Sequence, residues 1–472
     1  MALETLWKRN LSRYPAPGHR WLLLVVTTLV TVALYYNYYV LGSAAPQIMG
    51  EFAWSLDKYI YIGAIATLIG AISAIAAGIG DKLGRANLLL ASTGVSLVFS
   101  FLMSLAHNGN LFIVLYCLLG LFEGFALVMS STLMRDFSPR VGRGLAMGMW
   151  TVGPVGGSYI SSKVAGHLLG AGHDWRDLYT VALVSGIVVW LVAIALLRDL
   201  SPEIRNEIIV DAEGSSLEVK AESDLEDASL PGVPGSARFT SLAERFPPRL
   251  VIPAVGISLY LLMYFAAVSQ FPLYLESMFK FSPSTANNMM SLFWLVNVIA
   301  ALIFGGLSDW LRVRKPFLLA GAVMFFVTSL LFTLRLGHAT NQTTMTWILI
   351  LMGAVVACGF APWMAAISET AEELNPRRVA AGMAIFGSVQ RLVIMVMSLV
   401  MPHIVGTVAG WRHWWIVSLI GIVLYIPTIP ALCGGWRPHR GATSTVDADR
   451  TAIPPHVSST SADGNQPSVT QP

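Results

Sequence analysis

The chain has 472 residues, of which 55% are apolar and 12% are charged, and its mean hydropathy is +0.64. Soluble domains carry about twice this fraction of charged residues, so the composition excludes a soluble enzyme. The net charge of +3 says little about partners, because the side of a membrane on which each charge lies matters more than the total. Disulfides are not expected, since the three cysteines all lie inside apolar runs: Cys117, Cys358 and Cys433.

Twelve apolar runs of about 20 residues are each long enough to cross the hydrocarbon core of a bilayer. We number them span 1 to span 12 in chain order. The first six lie near residues 21–43, 59–79, 87–106, 111–134, 144–166 and 178–197, and the second six near 250–275, 286–307, 316–335, 347–367, 381–403 and 413–435. Most connections are short, which is typical of antiparallel neighbours. The pattern predicts an all-α polytopic membrane protein of two pseudo-symmetric six-helix bundles, over residues 21–197 and 249–436.

Three hydrophilic segments flank these bundles, at residues 1–20, 198–248 and 437–472. Residues 198–248 are rich in acids up to Asp227, and Pro and Gly follow them, a composition that predicts a largely disordered linker. Residues 437–472 are rich in Ser, Thr, Pro and Gly and predict a disordered tail.

The distribution of Lys and Arg predicts the orientation in the membrane. Most of the 30 basic residues fall on the side of the N-terminus. The exceptions lie on the other side or within spans: Lys58, Lys163, Arg176, Lys280, Arg335, Arg391 and Arg412. Because basic loops stay in the cytoplasm, we expect both termini and the linker to be cytoplasmic, in a multi-pass protein of the plasma membrane.

The two sets of spans share motifs at matching places, which indicates an internal repeat. The loop between spans 2 and 3 reads Gly78-Ile-Gly-Asp81-Lys82-Leu-Gly84-Arg85, and the loop between spans 8 and 9 reads Gly305-Gly306-Leu-Ser-Asp309-Trp-Leu-Arg312-Val-Arg314-Lys315. Similarly, Asp174-Trp175-Arg176 precedes span 6 and Gly410-Trp411-Arg412 precedes span 12.

The Asp81 loop, its degenerate copy at Asp309 and the six-plus-six layout together resemble the major facilitator superfamily of secondary transporters, over about residues 15–436. The resemblance implies a gate on the inner side, in which Asp81 faces the start of span 11 and Asp309 the start of span 5. Its other members would be Lys82, Gly84, Arg85, Arg312 and Arg314. The simpler interpretation is that the basic residues are only topology signals.

Two ionisable residues lie near mid-depth, where charge is costly and usually functional. Glu123 lies in span 4 on a face of small and polar residues, so we expect it to face a cavity. Desolvation there favours the protonated carboxyl group, which could take and release a proton near neutral pH. A structural carboxylate bonded to a neighbouring helix is the alternative.

Arg391 lies in span 11 beside Gln390 and needs an anion, because a guanidinium cannot be neutralised. Either Glu123 supplies that anion across the interface between the halves, or a carboxylate or phosphate of the substrate binds Arg391. Both could hold in alternate states, which would couple proton to substrate.

Phenol and amide groups at mid-depth are further candidates for substrate contacts: Tyr35, Tyr36, Asn37 and Tyr39 in span 1, and Tyr260 and Tyr264 in span 7. An interfacial aromatic belt would place them at span ends, and the span 1 cluster is deep enough to favour a cavity role over plain packing. Trp363 beside Pro362 in span 10 is another candidate, since a proline can mark a hinge or ordinary packing.

Two further resemblances differ in their implications. One set of motifs resembles the anion:cation symporter branch, whose members take up organic anions with protons or sodium: Leu119-Gly120-Leu-Phe-Glu123-Gly124, Asp136-Phe-Ser-Pro-Arg140 and Asp174-Trp175-Arg176. Span 1 lacks the Asp-Arg pair common in that branch. Gly153-Pro154-Val-Gly156-Gly157 in span 5 is similar to a motif of drug:proton antiporters, although small residues there also let helices of the two halves approach closely.

The pattern therefore favours a proton-coupled symporter that moves a small organic anion by alternating access, with its site between the halves. Glu123 would carry the proton, and Arg391 would bind the anion. The alternatives are a drug or metabolite exporter that exchanges protons, and a non-transporting membrane sensor; sodium could also replace the proton. We expect no enzyme activity, cofactor, metal, ATP or nucleic acid, because no metal-ligand pair, nucleophile motif or phosphate-binding loop is present. The partners would be the substrate, the coupling ion and the bilayer.

Overall fold

The structure is a computed structural model that describes residues 9–76, 83–138, 143–201, 204, 247–374 and 379–437. Asp81 and Lys82 lie outside these residues, as do most of the linker predicted over 198–248 and the tail from residue 438. The first residues of that linker pair with the N-terminal segment, because Asn10–Leu11 and Asp199–Leu200 form a two-residue parallel bridge.

Eleven of the predicted spans are continuous helices that overlap their apolar runs closely. They are Pro17–Ser43, Leu56–Ala76, Arg85–Ser104, Gly109–Phe137, Arg143–Gly170 and Trp175–Leu196 for spans 1 to 6, then Pro283–Trp310, Lys315–Leu334, Gln342–Leu374, Val379–Val400 and Val408–Tyr425 for spans 8 to 12. A short helix, Ala45–Glu51, follows span 1, and 3-10 turns, Met401–His403 and Ile426–Ala431, follow spans 11 and 12.

Ten helices in the described part of the chain are long and apolar enough to cross a membrane, and a bent pair in span 7 makes eleven. Span 5 has 28 residues, about 42 Å at 1.5 Å per residue, and supplies the twelfth segment. It is less apolar because small residues replace large ones where it touches its neighbours. A Cβ on Gly157 would lie 2.6 Å from Tyr35 of span 1, and one on Gly166 would lie 2.7 Å from Asn288 of span 8.

Span 7 differs from the single helix predicted over residues 250–275. It consists of three helices, Pro248–Tyr260, Leu262–Ser269 and Phe271–Phe279, with a 50° bend between the first two. Pro272 accounts for the second break, because it has no N–H to donate to the Val268 carbonyl group.

We call the end of the bundle where span 1 begins and span 4 ends the basic end, since it carries Arg85, Arg135 and Arg314, and the other end the opposite end. Hydrogen bonds join the two halves at the opposite end: Tyr59 Oη to the Ser269 carbonyl oxygen (2.6 Å), Asn287 Nδ2 to that of Ser43 (2.9 Å), Ser284 Oγ to that of Gly166 (2.6 Å), and Tyr61 Oη with His403 Nε2 (3.2 Å). The halves therefore meet firmly at the opposite end.

Matching backbone geometry supports the predicted repeat. Gly84 and Arg312 occupy the same place in the two loop motifs, and both adopt left-handed backbone, with φ of 90° and 53°. At the opposite end, Arg176 Nη2 donates to the Ala106 carbonyl oxygen just past span 3 (2.9 Å). The equivalent Arg412 Nη2 donates to the Leu336 carbonyl oxygen just past span 9 (3.3 Å).

Candidate functional site

A cavity of about 680 Å³ lies between the halves, a size typical of sites for small molecules. Its lining extends from Gly42 and Ser269, near the opposite end, to Thr132 and Arg135, where span 4 reaches the basic end. The hydrogen bonds between the halves cross the opposite end of this cavity.

Glu123 lines this cavity from span 4, with 8% of its surface exposed. Glycines set its position, because a Cβ on Gly120 would lie 2.7 Å from the Ala66 carbonyl oxygen of span 2. A Cβ on Gly70 would lie 3.4 Å from Glu123 Oε2, so a small residue there leaves room for the carboxylate. Tyr35 of span 1 lines the same cavity and is an electrostatic neighbour of this carboxyl group. The carboxyl group is thus held on the cavity wall beside a hydroxyl that can donate to its charged form.

Arg391 and Gln390 line the cavity from span 11, in the other half. The charge of Arg391 acts electrostatically on Glu123, Tyr35 and Tyr38 of the N-terminal half. Among the residues that the structure describes, the guanidinium makes no ion pair or hydrogen bond, so Glu123 is not its direct partner in this conformation. An anion in the cavity could therefore accept two hydrogen bonds from Arg391.

Three of the predicted aromatic residues line the cavity: Tyr35, Tyr39 and Tyr264. Sequence reasoning missed Tyr38, which also lines it and whose ring stacks on Tyr116 with centroids 5.3 Å apart. Helical spacing could have identified Tyr38, since it follows Tyr35 by three residues and therefore shares the face of Tyr35 and Tyr39.

Two further lining residues were also missed, Trp150 of span 5 and Gln270 at the second break of span 7. Trp150 Nε1 donates to Ser130 Oγ of span 4 (3.2 Å), which fixes the indole on the wall. The break at Gln270 could have been suspected from Pro272, but the direction of the Gln270 side chain depends on packing that the sequence does not reveal.

Tyr36 and Asn37 were predicted to contact the substrate, but they do not line the cavity. Both are buried. Tyr36 Oη donates to the Leu178 carbonyl oxygen of span 6 (3.4 Å), and Asn37 Nδ2 donates to that of Ala33 (2.8 Å). They lie on the side of span 1 that packs within the N-terminal half, because residues one or two positions apart face different sides of a helix.

Tyr260 and Trp363 also lie outside the cavity lining. Tyr260 is fully buried, and its hydroxyl donates to the Val356 carbonyl oxygen of span 10 (3.2 Å). Trp363 is fully buried too and packs against Phe386, with ring centroids 4.8 Å apart. These rings pack inside the C-terminal half, while Tyr264, one turn after Tyr260, reaches the cavity.

The gate residues that the structure describes make contacts within their own halves. Arg85 pairs with Asp136 at the end of span 4 (2.6 Å). Asp309 pairs with Arg314 (2.5 Å), and Arg314 also pairs with Glu369 near the end of span 10 (2.8 Å). These contacts hold each of the two loops to a helix of its own half.

Two nearby carboxylates affect the pKa of Arg314. Burial opposes the charged form, but the hydrogen bond to Glu369 and the nearby Asp309 outweigh it and raise the pKa of the Arg314 guanidinium above its usual value. Gly84 supplies the left-handed turn before Arg85, and Arg312 is exposed at the equivalent turn.

A family model described as Major Facilitator Superfamily matches residues 27–278 and again residues 253–461. The chain belongs to the major facilitator superfamily. The double match agrees with the two bundles, and this superfamily is one of membrane transporters rather than of enzymes. The fold is that of the superfamily as well: a D-xylose-proton symporter of known structure aligns with a TM-score of 0.66 and 14% identity, over 86% of this chain and 96% of that one.

Among relatives in this superfamily, the multidrug efflux pump LfrA of Mycolicibacterium smegmatis is 30% identical over 169 residues, which are 35% of this chain and 33% of the relative. A gallate transporter of Pseudomonas putida is 30% identical over 193 residues, 40% of this chain and 41% of the relative. The 4-hydroxybenzoate transporter PcaK of Pseudomonas putida is 25% identical over 213 residues, 43% and 45% respectively. The chain thus spans less than half the length of these relatives.

Proposed function

We propose that this protein is a proton-coupled symporter that takes up a small aromatic carboxylate by alternating access. The observation that carries the proposal is the pairing of charges in one cavity: Glu123 in the N-terminal half and an Arg391 that has no direct partner among the described residues. Arg391 would bind the carboxylate, with Gln390 beside it, and Glu123 would carry the proton. Relatives named for gallate and 4-hydroxybenzoate transport support this substrate class.

The aromatic lining supports the same class. Tyr38 and Tyr116 present stacked rings to the cavity, and Tyr264 and Phe265 present theirs from span 7. Aromatic rings pack favourably at offset or edge-on geometry, so these walls would hold a flat ring while Arg391 fixes its carboxylate.

We also propose that the basic end faces the cytoplasm of a cell whose plasma membrane holds the protein. Arg85, Arg135 and Arg314 lie at this end, and basic loops are retained in the cytoplasm. In this orientation the bonds between the halves at the opposite end form an outer gate that is closed in this conformation.

A second candidate function is efflux of drugs in exchange for protons. The similarity to LfrA and the largely apolar walls of the cavity favour it. Under that function Glu123 would still take up a proton, but Arg391 would repel the cationic compounds that such a pump would export.

Uptake into proteoliposomes separates the two functions. We expect labelled gallate or 4-hydroxybenzoate to accumulate when the outside is made acidic, and a protonophore to abolish the accumulation. Replacing sodium by choline should leave it unchanged, because the proton is the coupling ion. Movement of ethidium against the proton gradient, with no carboxylate uptake, would establish efflux instead, and no movement of either probe would favour a sensor.

A further inference from the structure

Gln270 is a buried residue on the cavity wall whose side-chain amide has no hydrogen-bond partner among the described residues. Its side chain is 4% exposed and lines the cavity. Among the described residues, Oε1 is shielded from solvent and accepts no hydrogen bond. Leaving a buried amide unpaired costs free energy, and native proteins pair the great majority of such groups. The amide nitrogen Nε2 is not among the shielded atoms and has no hydrogen bond among the described residues, so on this cavity wall it is placed to donate to a polar group of the substrate.

The helix break at Gln270 does not require this side chain. The Gln270 backbone N–H donates to the Ala266 carbonyl oxygen (2.7 Å), and its own carbonyl oxygen accepts from the Tyr274 N–H (2.8 Å). Both main-chain groups are thus satisfied across the break, which Pro272 explains. A glutamine is not needed to cap either helix, so its amide remains available to a ligand.

A hydrogen bond next to Gln270 links ligand binding at this position to the contact between the two halves. Ser269, the residue before Gln270, accepts the hydrogen bond from Tyr59 that joins the two halves (2.6 Å). A substrate bound to Gln270 would therefore contact the residue next to Ser269, whose carbonyl oxygen helps to join the two halves at the opposite end.

We propose that Gln270 recognises a hydroxyl group on the substrate, apart from the carboxylate that Arg391 binds. An amide carries both a donor and an acceptor, and a hydroxyl can satisfy either one or both. Tyr264 and Phe265 line the same cavity as Gln270. Their rings favour an aromatic substrate, so we expect the hydroxyl group to be attached to an aromatic ring. The substrate class is then a hydroxylated aromatic carboxylate; the carboxylate rests on the function proposed above, whereas the hydroxyl rests on Gln270 alone.

Calorimetric binding to the purified full-length protein tests this inference with defined probes. The probes are benzoate, its 3- and 4-hydroxy derivatives, and the neutral compounds benzamide and 3- and 4-hydroxybenzamide. We expect the better hydroxylated isomer to bind about tenfold more tightly than its parent, as one added neutral hydrogen bond allows. Gln270→Leu should reduce this ratio to near one while changing the affinity for the parent compound little.

Gln47→Leu is the matched control. Gln47 also has a buried Oε1 without a partner among the described residues, but it lies in the short helix Ala45–Glu51 and does not line the cavity. The hydroxyl preference should survive in this variant. A ratio that persists in Gln270→Leu, or an equal loss for all probes in that variant, would overturn the inference, as would a wild-type protein without hydroxyl preference.

The neutral probes separate this inference from the proposed function. If carboxylates bind no better than amides, but Gln270→Leu still removes the hydroxyl preference among the benzamides, the anion proposal fails and the role of Gln270 stands. If carboxylates bind well through Arg391 and hydroxylation makes no difference, the anion proposal stands and the role of Gln270 fails.

Discussion

The two halves of the molecule match closely at the basic end. Asp136, near the end of span 4, pairs with Arg85, and Glu369, near the end of span 10, pairs with Arg314. Arg85 follows the aspartate of its loop by four residues, and Arg314 follows the aspartate of its loop by five. The arginine–carboxylate pair is therefore present in both halves although the spacing of the motif differs. The ends of the repeat thus conserve a structural contact between a loop and the helix beside it.

At mid-depth the halves differ. Gly120 of span 4 lies against the Ala66 carbonyl group, and Gly353 of span 10 lies against that of Phe293 in the same way. The residue three positions further is Glu123 in the first half and Val356 in the second, and both line the cavity. The helix scaffold is therefore symmetric, while the carboxylate belongs to one half, and Arg391 and the broken span 7 belong to the other. We infer that transport chemistry arises from this asymmetry.

Removing the charge of Arg391 should have the largest effect on substrate binding. Arg391→Gln should weaken carboxylate binding by about tenfold to a hundredfold, because a hydrogen bond to a charged group contributes about 1.5–3 kcal/mol. The affinity for benzamide should change little. Arg335→Gln, at an exposed arginine after span 9, is the control. Equal losses for benzoate and benzamide would mean that Arg391 serves structure rather than anion binding.

Substitutions at the close helix contacts of Gly124 and Gly353 test whether the packing of the helices and the coupling of protons to transport can be changed separately. A Cβ on Gly124 would overlap the Gly70 carbonyl oxygen and Ser73 Oγ, so Gly124→Ala should lower stability by about 1–3 kcal/mol and also impair proton coupling at the adjacent Glu123. Gly353→Ala should lower stability similarly but leave coupling largely intact. Thermal unfolding and gradient-driven uptake measure the two effects.

Gly63→Ala is the control for both variants, since a Cβ at Gly63 would meet nothing within 4 Å. Its stability should stay close to that of the wild type. Wild-type stability in Gly124→Ala would contradict the close approach of spans 2 and 4.

A smaller effect is expected from the opposite end, where the halves again differ. Arg176 pairs with Glu51 (2.5 Å), whereas the equivalent Arg412 has a backbone partner among the described residues. The hydrogen bonds from Arg176 lower the pKa of Glu51 below its usual 4.5, against partial burial and with help from Trp175. This stabilisation is therefore present above pH 4.5 and is lost as the pH falls through the lowered pKa.

Glu51→Gln should accordingly lower stability by at most about 1 kcal/mol at neutral pH, and the difference from wild type should shrink below pH 4.5. Thermal unfolding across this pH range measures it. A constant difference at all pH values would show that the pair contributes no charge-dependent stability.

The helices could be predicted because apolar runs of bilayer length have few other folds available. Glu123 and Arg391 could be predicted as well, since charge at this depth is rare and both residues do line the cavity. In both cases the signal is local and strong.

Side-chain direction was harder to predict. Tyr36, Asn37, Tyr260 and Trp363 lie at the expected depth but face their own half, because depth follows from position in a span while direction depends on how spans rotate against one another. Gln270 was missed for a related reason: it lies at a helix break, where the helical period that relates faces is interrupted.

The central claim is that Glu123 carries the coupled proton while Arg391 binds the substrate. It is tested most directly by comparing wild type with Glu123→Gln in proteoliposomes, in two modes: accumulation of 4-hydroxybenzoate driven by an acidic exterior, and exchange of labelled for unlabelled 4-hydroxybenzoate without a gradient. We predict that Glu123→Gln loses gradient-driven accumulation and retains exchange. Accumulation equal to that of the wild type would contradict the account.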